Sequence, residues 1–385
     1  MTQPRVPTPA EQATTTASAV RPTSSDEAAA ALAELSHQGA AVRPVGAGSR
    51  AEWGGGDGAD TVTVHTGGLD RIVAHNAGDF TAIVEAGVPL AELQRHLARE
   101  GQWLALDPPD RGGTVGGLVA TADSGPARHR YGGVRDLVIG ITVVLADGSV
   151  ARSGGTVIKN VAGYDLGKLF AGSYGTLGLV TQVAVRLHPL PARTATVVAA
   201  TDDPAALTAA VLAMSRRPLE AMALDTAWRD GSGRLLIRFG GVTAPERADA
   251  TAKLLPAVDV DVVLDDESIW AAQRAAQRGP AVVKVSHLPT DLPAVLAAAG
   301  GATVTTRAAL GVSWLSFPDG DDLATRVEAA RTALRPRPAT VLDGARLVVA
   351  PWPAPDPGLR ALMGRVKARF DPTGTFRPGT YVGGL

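Results

Sequence analysis

The sequence predicts an α+β protein in which a glycine-rich domain precedes a smaller α+β domain. Up to Leu187, alternating strand patterns are separated by glycine clusters. Beyond Pro191, alanine-rich helical patterns alternate with strands and lack such clusters. The length of 385 residues leaves room for two domains. We predict a disordered lead at 1–24, a first domain at 25–190, a second domain at 191–350, and a tail at 351–385 that returns to the first domain.

Caps and alternation predict the elements of the first domain. Ser24 and Glu27 have the spacing of a capping box, and the Ala/Leu run that follows is helical until Gly39 ends it. Pro89 opens a second helix that runs to about Arg99. The predicted strands lie at 41–45, at 61–65, within 79–87, within 137–150 on both sides of the Asp147-Gly148 turn, and at 177–187.

Helical and strand patterns also define the second domain. The predicted helices are 204–216, 245–256 and 323–334, and the predicted strands include 235–239, 282–286 and 312–317. The tail from Pro351 to Leu385 is predicted to be rich in turns.

Composition excludes several classes of function. The net charge of -1 leaves no basic surface of the kind that nucleic acids attract. The chain has no cysteine, which excludes disulfides, thiolate metal sites, cysteinyl iron–sulfur clusters and a cysteine-linked flavin within it. The segment 1–25 lacks the apolar core of a signal peptide, and no stretch is apolar for long enough to span a bilayer. We expect a cytoplasmic protein that associates with a membrane only through partner subunits.

The first glycine loop, Gly46-Ala47-Gly48-Ser49, follows a predicted strand. Glycines at such a position let backbone N–H groups converge on a phosphate, because no Cβ intervenes. With Arg50-Ala51 the loop satisfies the dinucleotide fingerprint GxGxxA, but Trp53-Gly54-Gly55-Gly56 follows where that fingerprint requires a helix. A phosphate loop and a structural turn are both open for this motif alone.

The second glycine loop is more specific. Asp107-Pro108-Pro109 precedes Gly112-Gly113-Thr114-Val115-Gly116-Gly117, and Thr121 and Ser124-Gly125 follow. These small residues form a backbone-lined surface flat enough for an aromatic ring system, and their hydroxyl groups add hydrogen bonds. A glycine-rich turn region is the alternative.

The third segment joins a polar turn to another glycine loop. It reads KNVAGYDLGKLFAGSYGTLGLV from Lys159 to Val180 and leads into the strand at 177–187. An exposed, capped helix would explain Lys159 and Lys168 but not the spacing of the glycines.

In this order and spacing, the three segments resemble the FAD-binding domain of the vanillyl-alcohol oxidase superfamily, the PCMH-type fold. The third segment is especially similar to the family of FAD-binding subunits of glycolate oxidase, and 370–379 is similar to the family's closing motif. The resemblance covers 41–190. It implies a two-lobed FAD-binding domain, a cap-like second domain, and a subunit of a 2-hydroxy-acid dehydrogenase complex with a larger flavoprotein subunit and an iron–sulfur subunit.

The resemblance also implies which residues hold FAD. The first loop would bind the pyrophosphate, the second would lie against the flavin and the diphosphate, and the third would contact the cofactor from the last strand. The implied residues are Pro44, Val45, Gly46, Ala47, Gly48, Ser49, Pro108, Gly113, Thr114, Gly116, Gly117, Thr121, Ser124, Gly125, Tyr131, Gly132, Gly175, Gly178 and Val180.

Three departures from the family pattern alter these expectations. Ser49 replaces a histidine that many members bond to the flavin, so we expect non-covalent FAD. Tyr174 replaces a glutamate common in relatives, which leaves the backbone role of its loop intact. His287 is the single histidine after His188, whereas larger catalytic relatives use a C-terminal histidine cluster for a metal and for proton abstraction. We therefore predict no metal site and name no catalytic base.

Two further functions are open from the sequence. One is a self-sufficient FAD-dependent oxidoreductase that acts on an alcohol, sugar or hydroxy acid between its two domains. The other is a binding scaffold with a vestigial cofactor, which the intact glycine loops disfavour. A hydroxy acid would need a cation for its carboxylate. The candidates, each of which a surface or packing role could also explain, are Lys284, Arg238, Arg307 and Arg346.

Overall fold

A computed structural model describes residues 19–56, 61–109, 112–156, 164–255, 259–344, 347 and 349–385. The predicted disordered lead lies mostly outside these residues, as do residues 159–163 of the predicted polar turn and Arg346. Among the described residues, no helix combines the length and the apolarity needed to cross a membrane.

The first part of the described chain forms three sheets. Its helices are α1 (Ser25–His37), α2 (Leu90–Leu97), α3 (Val115–Thr121), α4 (Arg128–Tyr131), α5 (Val134–Leu137) and α6 (Leu166–Phe170). Its strands are β1 (Ala19–Val20), β2 (Val42–Val45), β3 (Val62–His65), β4 (Ile72–Asn76), β5 (Thr81–Glu85), β6 (Gln102–Trp103), β7 (Val138–Val144), β8 (Val150–Gly154), β9 (Leu179–Arg186) and β10 (His188–Pro189).

Two of these sheets are lobes that share the helix α1. One sheet is parallel, in the order β1-β3-β2, and the other is antiparallel, in the order β4-β5-β9-β7-β8. Ala28 and Leu32 of α1 pack with Val42 and Val64 of the parallel sheet and with Val144 of the antiparallel sheet. The apolar face of α1 therefore holds the loop after β2 beside the larger sheet. The strands β6 and β10 pair separately.

The second part of the chain contributes a single antiparallel sheet of eight strands. Its strands are β11 (Thr194–Thr201), β12 (Ala223–Arg229), β13 (Ser232–Gly240), β14 (Asp259–Val263), β15 (Ala281–Ser286), β16 (Thr303–Arg307), β17 (Val312–Phe317) and β18 (Ala339–Val341), in the order β14-β11-β13-β12-β16-β17-β15-β18. Its helices are α7 (Pro204–Ser215), α8 (Ala244–Ala252), α9 (Glu267–Ala275), α10 (Leu292–Ala297) and α11 (Leu323–Ala333), and the tail forms α12 (Pro357–Phe370).

The two faces of this sheet have opposite characters. Alternate residues such as Val283 and Val285 pack into the core formed with α7, α8, α10 and α11. The residues between them point the other way, because side chains alternate along a strand. On that second face, Val282 and Trp314 pack against Trp53 from the first part of the chain. The second face is thus directed at the glycine loops.

The tail returns to the parallel sheet. Phe376 is fully buried beside β2, where the Val42 N–H donates to the Thr375 carbonyl at 2.7 Å and the Arg377 N–H donates to the Val42 carbonyl at 2.9 Å. Asp371 accepts hydrogen bonds from the backbone N–H groups of Thr375 and Phe376. It also forms an ion pair with Lys367. One buried carboxylate therefore fixes the turn that delivers the tail to the sheet.

The predicted α+β class is confirmed, and most predicted elements are present. Ser24 caps α1 by accepting a hydrogen bond from the Glu27 N–H at 3.1 Å, as the capping-box spacing predicts. The prediction of a turn-rich tail is wrong for Pro357–Phe370, which is helical. Asp356 caps that helix and a proline occupies its first turn, where the missing N–H costs nothing. The helices α3 and α9 were not predicted either.

Replacing Asp371 should weaken the attachment of the tail. We expect Asp371→Asn to lower the free energy of unfolding by about 2–4 kcal/mol, because a buried ion pair and a charged acceptor of two N–H groups are lost. Urea unfolding measures the change. Asp321→Asn, at an exposed carboxylate, is the control and should change stability by less than about 0.5 kcal/mol. Equal stabilities of the two variants would contradict this account of the tail.

Candidate cofactor-binding site

The three glycine loops meet in one cleft. The predicted residues that line it are Pro44, Val45, Gly46, Ala47, Gly48, Ser49, Thr114, Gly116, Gly117, Thr121, Gly175, Gly178 and Val180. The segments come from β2, from α3 and from the loop before β9, which are far apart in sequence. A single elongated site is thus formed largely from backbone.

The first and second loops touch directly. A Cβ on Gly46 would overlap Thr114 Oγ1, so the close approach requires glycine at position 46. Thr114 is also the N-cap of α3, where its Oγ1 accepts a hydrogen bond from the Gly117 N–H at 3.2 Å. The same hydroxyl therefore packs against one loop and orders the start of the other.

The helix α3 lies unusually close to the end of β5. The Gly116 N–H donates to the Ala86 carbonyl at 2.8 Å, and a Cβ on Gly116 would lie 2.6 Å from the Ala86 Cβ. The glycines of the second loop thus permit a short helix as well as a flat backbone surface. Helix propensity argues against this helix, and its packing against β5 and the Thr114 cap offset that cost.

The third loop is fastened to the C-terminal end of α3. The Tyr174 N–H donates to the Ala120 carbonyl at 2.7 Å and the Gly172 N–H donates to the Val119 carbonyl at 3.0 Å. Tyr174 has a positive φ of 55°, an uncommon conformation for a tyrosine, and its carbonyl accepts a hydrogen bond from Arg377 Nη1 at 3.0 Å. The loop backbone is thus held on two sides.

The Tyr174 side chain belongs to an aromatic cluster with the tail. Its ring lies 5.0 Å from the ring of Trp352 and 5.6 Å from that of Tyr381. Burial raises the pKa of the Tyr174 hydroxyl, so it stays neutral at physiological pH. The side chain therefore contributes packing, while the backbone of its loop faces the cleft.

The cleft has the electrostatic character expected of an anion site. Among the described residues that line it, three are arginines, Arg43, Arg50 and Arg377, and none is a carboxylate. Backbone N–H groups from glycine loops add further donors. A diphosphate with an attached ring system fits this combination of charge and small side chains.

Six predicted residues lie outside the lining of this cleft: Pro108, Gly113, Ser124, Gly125, Tyr131 and Gly132. Gly113 packs against the guanidinium of Arg50, and Gly125 packs against the Asp107 carbonyl. Tyr131 is in ring contact with Trp103 and His188. Contacts between these six residues and a cofactor stay a prediction.

Beyond the cleft, the polar face of the eight-stranded sheet carries two cations beside one indole ring. Arg307 Cζ lies 4.8 Å from the centre of the Trp314 ring and Lys284 Nζ lies 5.8 Å from it. Trp314 pairs with Lys284 of β15 on one side and with β16, the strand of Arg307, on the other. The cations therefore flank the indole.

Arg307 is completely buried and held by two partners. Its Nη1 donates to Asp225 at 2.5 Å and its Nη2 donates to Gln277. The Gln277 amide in turn donates to the Ser124 carbonyl at 3.5 Å, which links the sheet to the second glycine loop. Arg307 Nε is buried without a hydrogen-bond partner. Such an orphaned donor is unusual in a folded protein, and Oδ1 of its partner Asp225 is orphaned as well.

Lys284 differs from Arg307 because its ammonium forms no hydrogen bond or ion pair with any described residue. Burial lowers the pKa of Lys284, and the nearby charges of Arg128 and Arg307 lower it further, while Asp123 opposes them. An anion bound beside Lys284 would relieve this unfavourable electrostatic environment.

The remaining polar candidates from the sequence have structural partners. Arg238 forms an ion pair with Asp266 at 2.7 Å. His287 contacts the Ser313 hydroxyl at 2.8 Å and the Leu288 carbonyl at 2.7 Å. Within the part of the chain that the structure describes, no three His, Cys, Asp or Glu side chains gather as a metal site.

Several residues of the site were not singled out from the sequence. Arg50 occupies a variable position of the GxGxxA pattern, so the pattern assigns it no role. Arg377 lies in the closing motif, which predicts a family resemblance but no contact with the cleft. Asp123 and Asp225 carried no local signal. Contacts between distant segments give these side chains their roles.

Comparison with known proteins agrees with this geometry. Residues 16–154 match the family model described as an FAD binding domain. Glycolate oxidase subunit GlcE of Escherichia coli (strain K12) is 40% identical over 122 residues, which are 31% of this chain and 35% of that protein. The mitochondrial D-lactate dehydrogenase [cytochrome] of Arabidopsis thaliana is 41% identical over 123 residues, 32% of this chain and 22% of that protein.

A longer match has lower identity. The D-lactate dehydrogenase of Archaeoglobus fulgidus is 30% identical over 258 residues, 63% of this chain and 58% of that protein. Among solved structures, alkyldihydroxyacetonephosphate synthase has a TM-score of 0.70 at 15% identity and covers 93% of this chain and 75% of its own. These matches confirm the FAD-binding domain and the PCMH-type fold. The chain spans about a third or less of the first two relatives.

Enlarging Gly46 should open the cleft. We expect Gly46→Ala to weaken FAD binding at least tenfold, because the new methyl group would push the first loop away from Thr114. Fluorescence titration of the apoprotein with FAD measures the affinity. Gly78→Ala adds a methyl group where nothing lies within 4 Å and should leave the affinity unchanged. Unaltered binding by Gly46→Ala would contradict the proposed cleft.

Asp107 should make stability depend on pH. Burial raises the pKa of Asp107 from 3.8 to about 6, although Arg307 lowers it. Between pH 4 and 6 the folded protein retains a proton that the unfolded chain releases, so this group's contribution to stability is lost as pH rises. Relative to the wild type, Asp107→Asn should gain about 1–3 kcal/mol in free energy of unfolding from pH 4 to pH 6. Urea unfolding at both pH values tests this, and a constant difference would refute it.

Proposed function

We propose that this chain, which carries an FAD binding domain in its N-terminal half, is the FAD-binding subunit of a dehydrogenase of 2-hydroxy acids, with glycolate as the substrate. Relatives named as a glycolate oxidase subunit and as D-lactate dehydrogenases support the reaction class. Both substrates are small acids with a hydroxyl group beside the carboxylate.

In this proposal, the cleft holds the cofactor without a covalent bond. The loop from Gly46 to Ser49 binds the diphosphate, and the other two loops lie along the rest of the molecule. The close packing at Gly46 and Gly116 supports this assignment, since a larger side chain at either position would clash with Thr114 or Ala86 and push the segments apart. Bound FAD supplies the oxidant for hydride removal.

The observation that carries the proposal is a group of cations opposite the glycine loops. We call this group, formed by Arg307, Lys284 and Arg128, the cationic face. Arg307 offers an unpartnered Nε, Lys284 offers an unpaired ammonium, and Arg128 reaches the same region from the first part of the chain. A carboxylate bound there gains charge-assisted hydrogen bonds in a site with little water. The indole of Trp314 adds an apolar wall that suits a small carbon skeleton.

The electron acceptor is proposed to lie in other subunits. The chain has no cysteine, so a cysteinyl iron–sulfur cluster has to come from a partner. We propose assembly with a larger flavoprotein subunit and an iron–sulfur subunit. Co-expression of the three chains and affinity purification through this one tests the assembly.

The alternative is a self-sufficient oxidoreductase that acts on an alcohol, sugar or hydroxy acid. The cationic face favours this alternative because all of the side chains that form the face come from this chain. Anaerobic mixing of the isolated holoprotein with glycolate separates the two functions. Rapid loss of flavin absorbance without partners supports the self-sufficient enzyme, whereas turnover only in the complex supports the subunit.

Lys284 provides the sharpest test of the acid site. We expect Lys284→Met to weaken binding of oxalate, an unreactive dicarboxylate, at least tenfold in the holoprotein, because the carboxylate loses a cation. The flavin absorbance change on titration reports binding. Lys253→Met, at an exposed lysine, should bind oxalate as the wild type does. Absence of any response to 2-hydroxy acids or oxalate in the wild type would argue against the proposed substrate class.

A further inference from the structure

A buried ion pair lies at the edge of the FAD cleft. Arg50 follows the first glycine loop, and its Nε donates to Asp123 Oδ2 at 2.7 Å, with Nη2 also 2.7 Å from that oxygen. The side chains of Arg50 and Asp123 are 4% and 3% exposed. At this degree of burial, neither charge is screened by bulk water.

The guanidinium is held in place on several sides. Its Nη1 donates to Ser49 Oγ at 2.7 Å, and its Cζ lies 5.7 Å from the centre of the Trp53 ring. A Cβ on Gly113 would lie 2.5 Å from Nη1, so glycine is needed there to make room for the arginine. The position of Arg50 is therefore specified by surrounding residues.

Arg50 differs from the other two arginines of the cleft. Arg43 donates to the Ala51 carbonyl. Arg377 donates to the Tyr174 and Trp53 carbonyls. Both arginines therefore support loop backbone. Arg50 Nη2 is buried without a hydrogen bond of good geometry, although it lies close to Asp123. Like Ser173 Oγ in the same lining, Arg50 Nη2 is a buried donor that could bind a ligand.

Asp123 lies behind the lining of the cleft. Its Oδ1 accepts a hydrogen bond from the Ser124 N–H at 2.9 Å, which leaves Oδ2 for Arg50. Asp123 is also near enough to influence the titration of Lys284 and Tyr174, so it stands where the cleft meets the cationic face. A fixed negative charge at this point offsets the charge of Arg50.

We propose that Arg50 contacts the bound cofactor directly and that Asp123 positions it and offsets its charge, so that the pair sets the relative affinity of the cleft for oxidised and reduced FAD. This inference rests on the FAD site proposed above. Reduction adds electrons to the flavin, and a cation nearby stabilises the reduced form more than the oxidised form. The counter-ion limits that preference.

The test uses three variants of the full chain: Arg50→Met, Asp123→Asn and the double variant. Two quantities are measured, the dissociation constant of FAD and the two-electron midpoint potential of the bound flavin. Asp123→Asn should raise the potential, because the arginine then acts unopposed. Arg50→Met should lower the potential and weaken FAD binding at least tenfold. A tenfold change in the ratio of the two affinities corresponds to about 30 mV.

The double variant removes the risk that Arg50→Met fails to fold around an unpaired carboxylate. It differs from Asp123→Asn only in lacking the guanidinium, so its potential should be lower than that of Asp123→Asn. Arg229→Met, from an exposed ion pair with Asp230, should leave both quantities unchanged. Shifts of the same sign in both single variants, or potentials equal to that of the wild type in all variants, would overturn the inference. A wild-type chain that binds no FAD would overturn the proposed function as well.

Discussion

The contact between the first two glycine loops is the constraint on which the rest of the cleft depends. Gly46 lies against Thr114, and Gly116 lies against Ala86, so both approaches are closer than any larger residue allows. The short helix α3 can start at Thr114 and reach the third loop only because these approaches are made. Backbone proximity, rather than any single reactive side chain, builds the site.

The second part of the chain completes this arrangement with the face of its sheet that is turned away from its helices. Trp53 anchors the contact by packing with Val282 and Trp314, and its indole N–H donates to Asp343 at 2.8 Å. Charged side chains surround this apolar contact. Burying these charges against hydrocarbon alone would be unfavourable, whereas a bound anion would stabilise them.

Sequence patterns predicted the features that are determined by residues close together in the chain. The cap at Ser24 and the strand patterns are local, and the glycine motifs limit their own backbone. The helix α12 was missed because Pro357 and Gly358 at its start favour turns, while its Asp356 cap is a weak signal. Arg50 and Asp123 are separated by many residues, and nothing in either segment shows that they pair. The order of the glycine motifs was enough to predict the cofactor. The cationic face could be recognised only once the folded sheet had brought its residues together.

The return of the tail has a consequence for biogenesis. Arg377 lines the same cleft as Pro44, and Phe376 packs beside β2, so the pocket draws on residues from both extremes of the described chain. Contacts of such long sequence separation are slow to form. A ribosome exposes the glycine loops well before it has synthesised the segment that contributes Arg377 to the cleft. Loading of the dinucleotide is therefore expected to be a post-translational event.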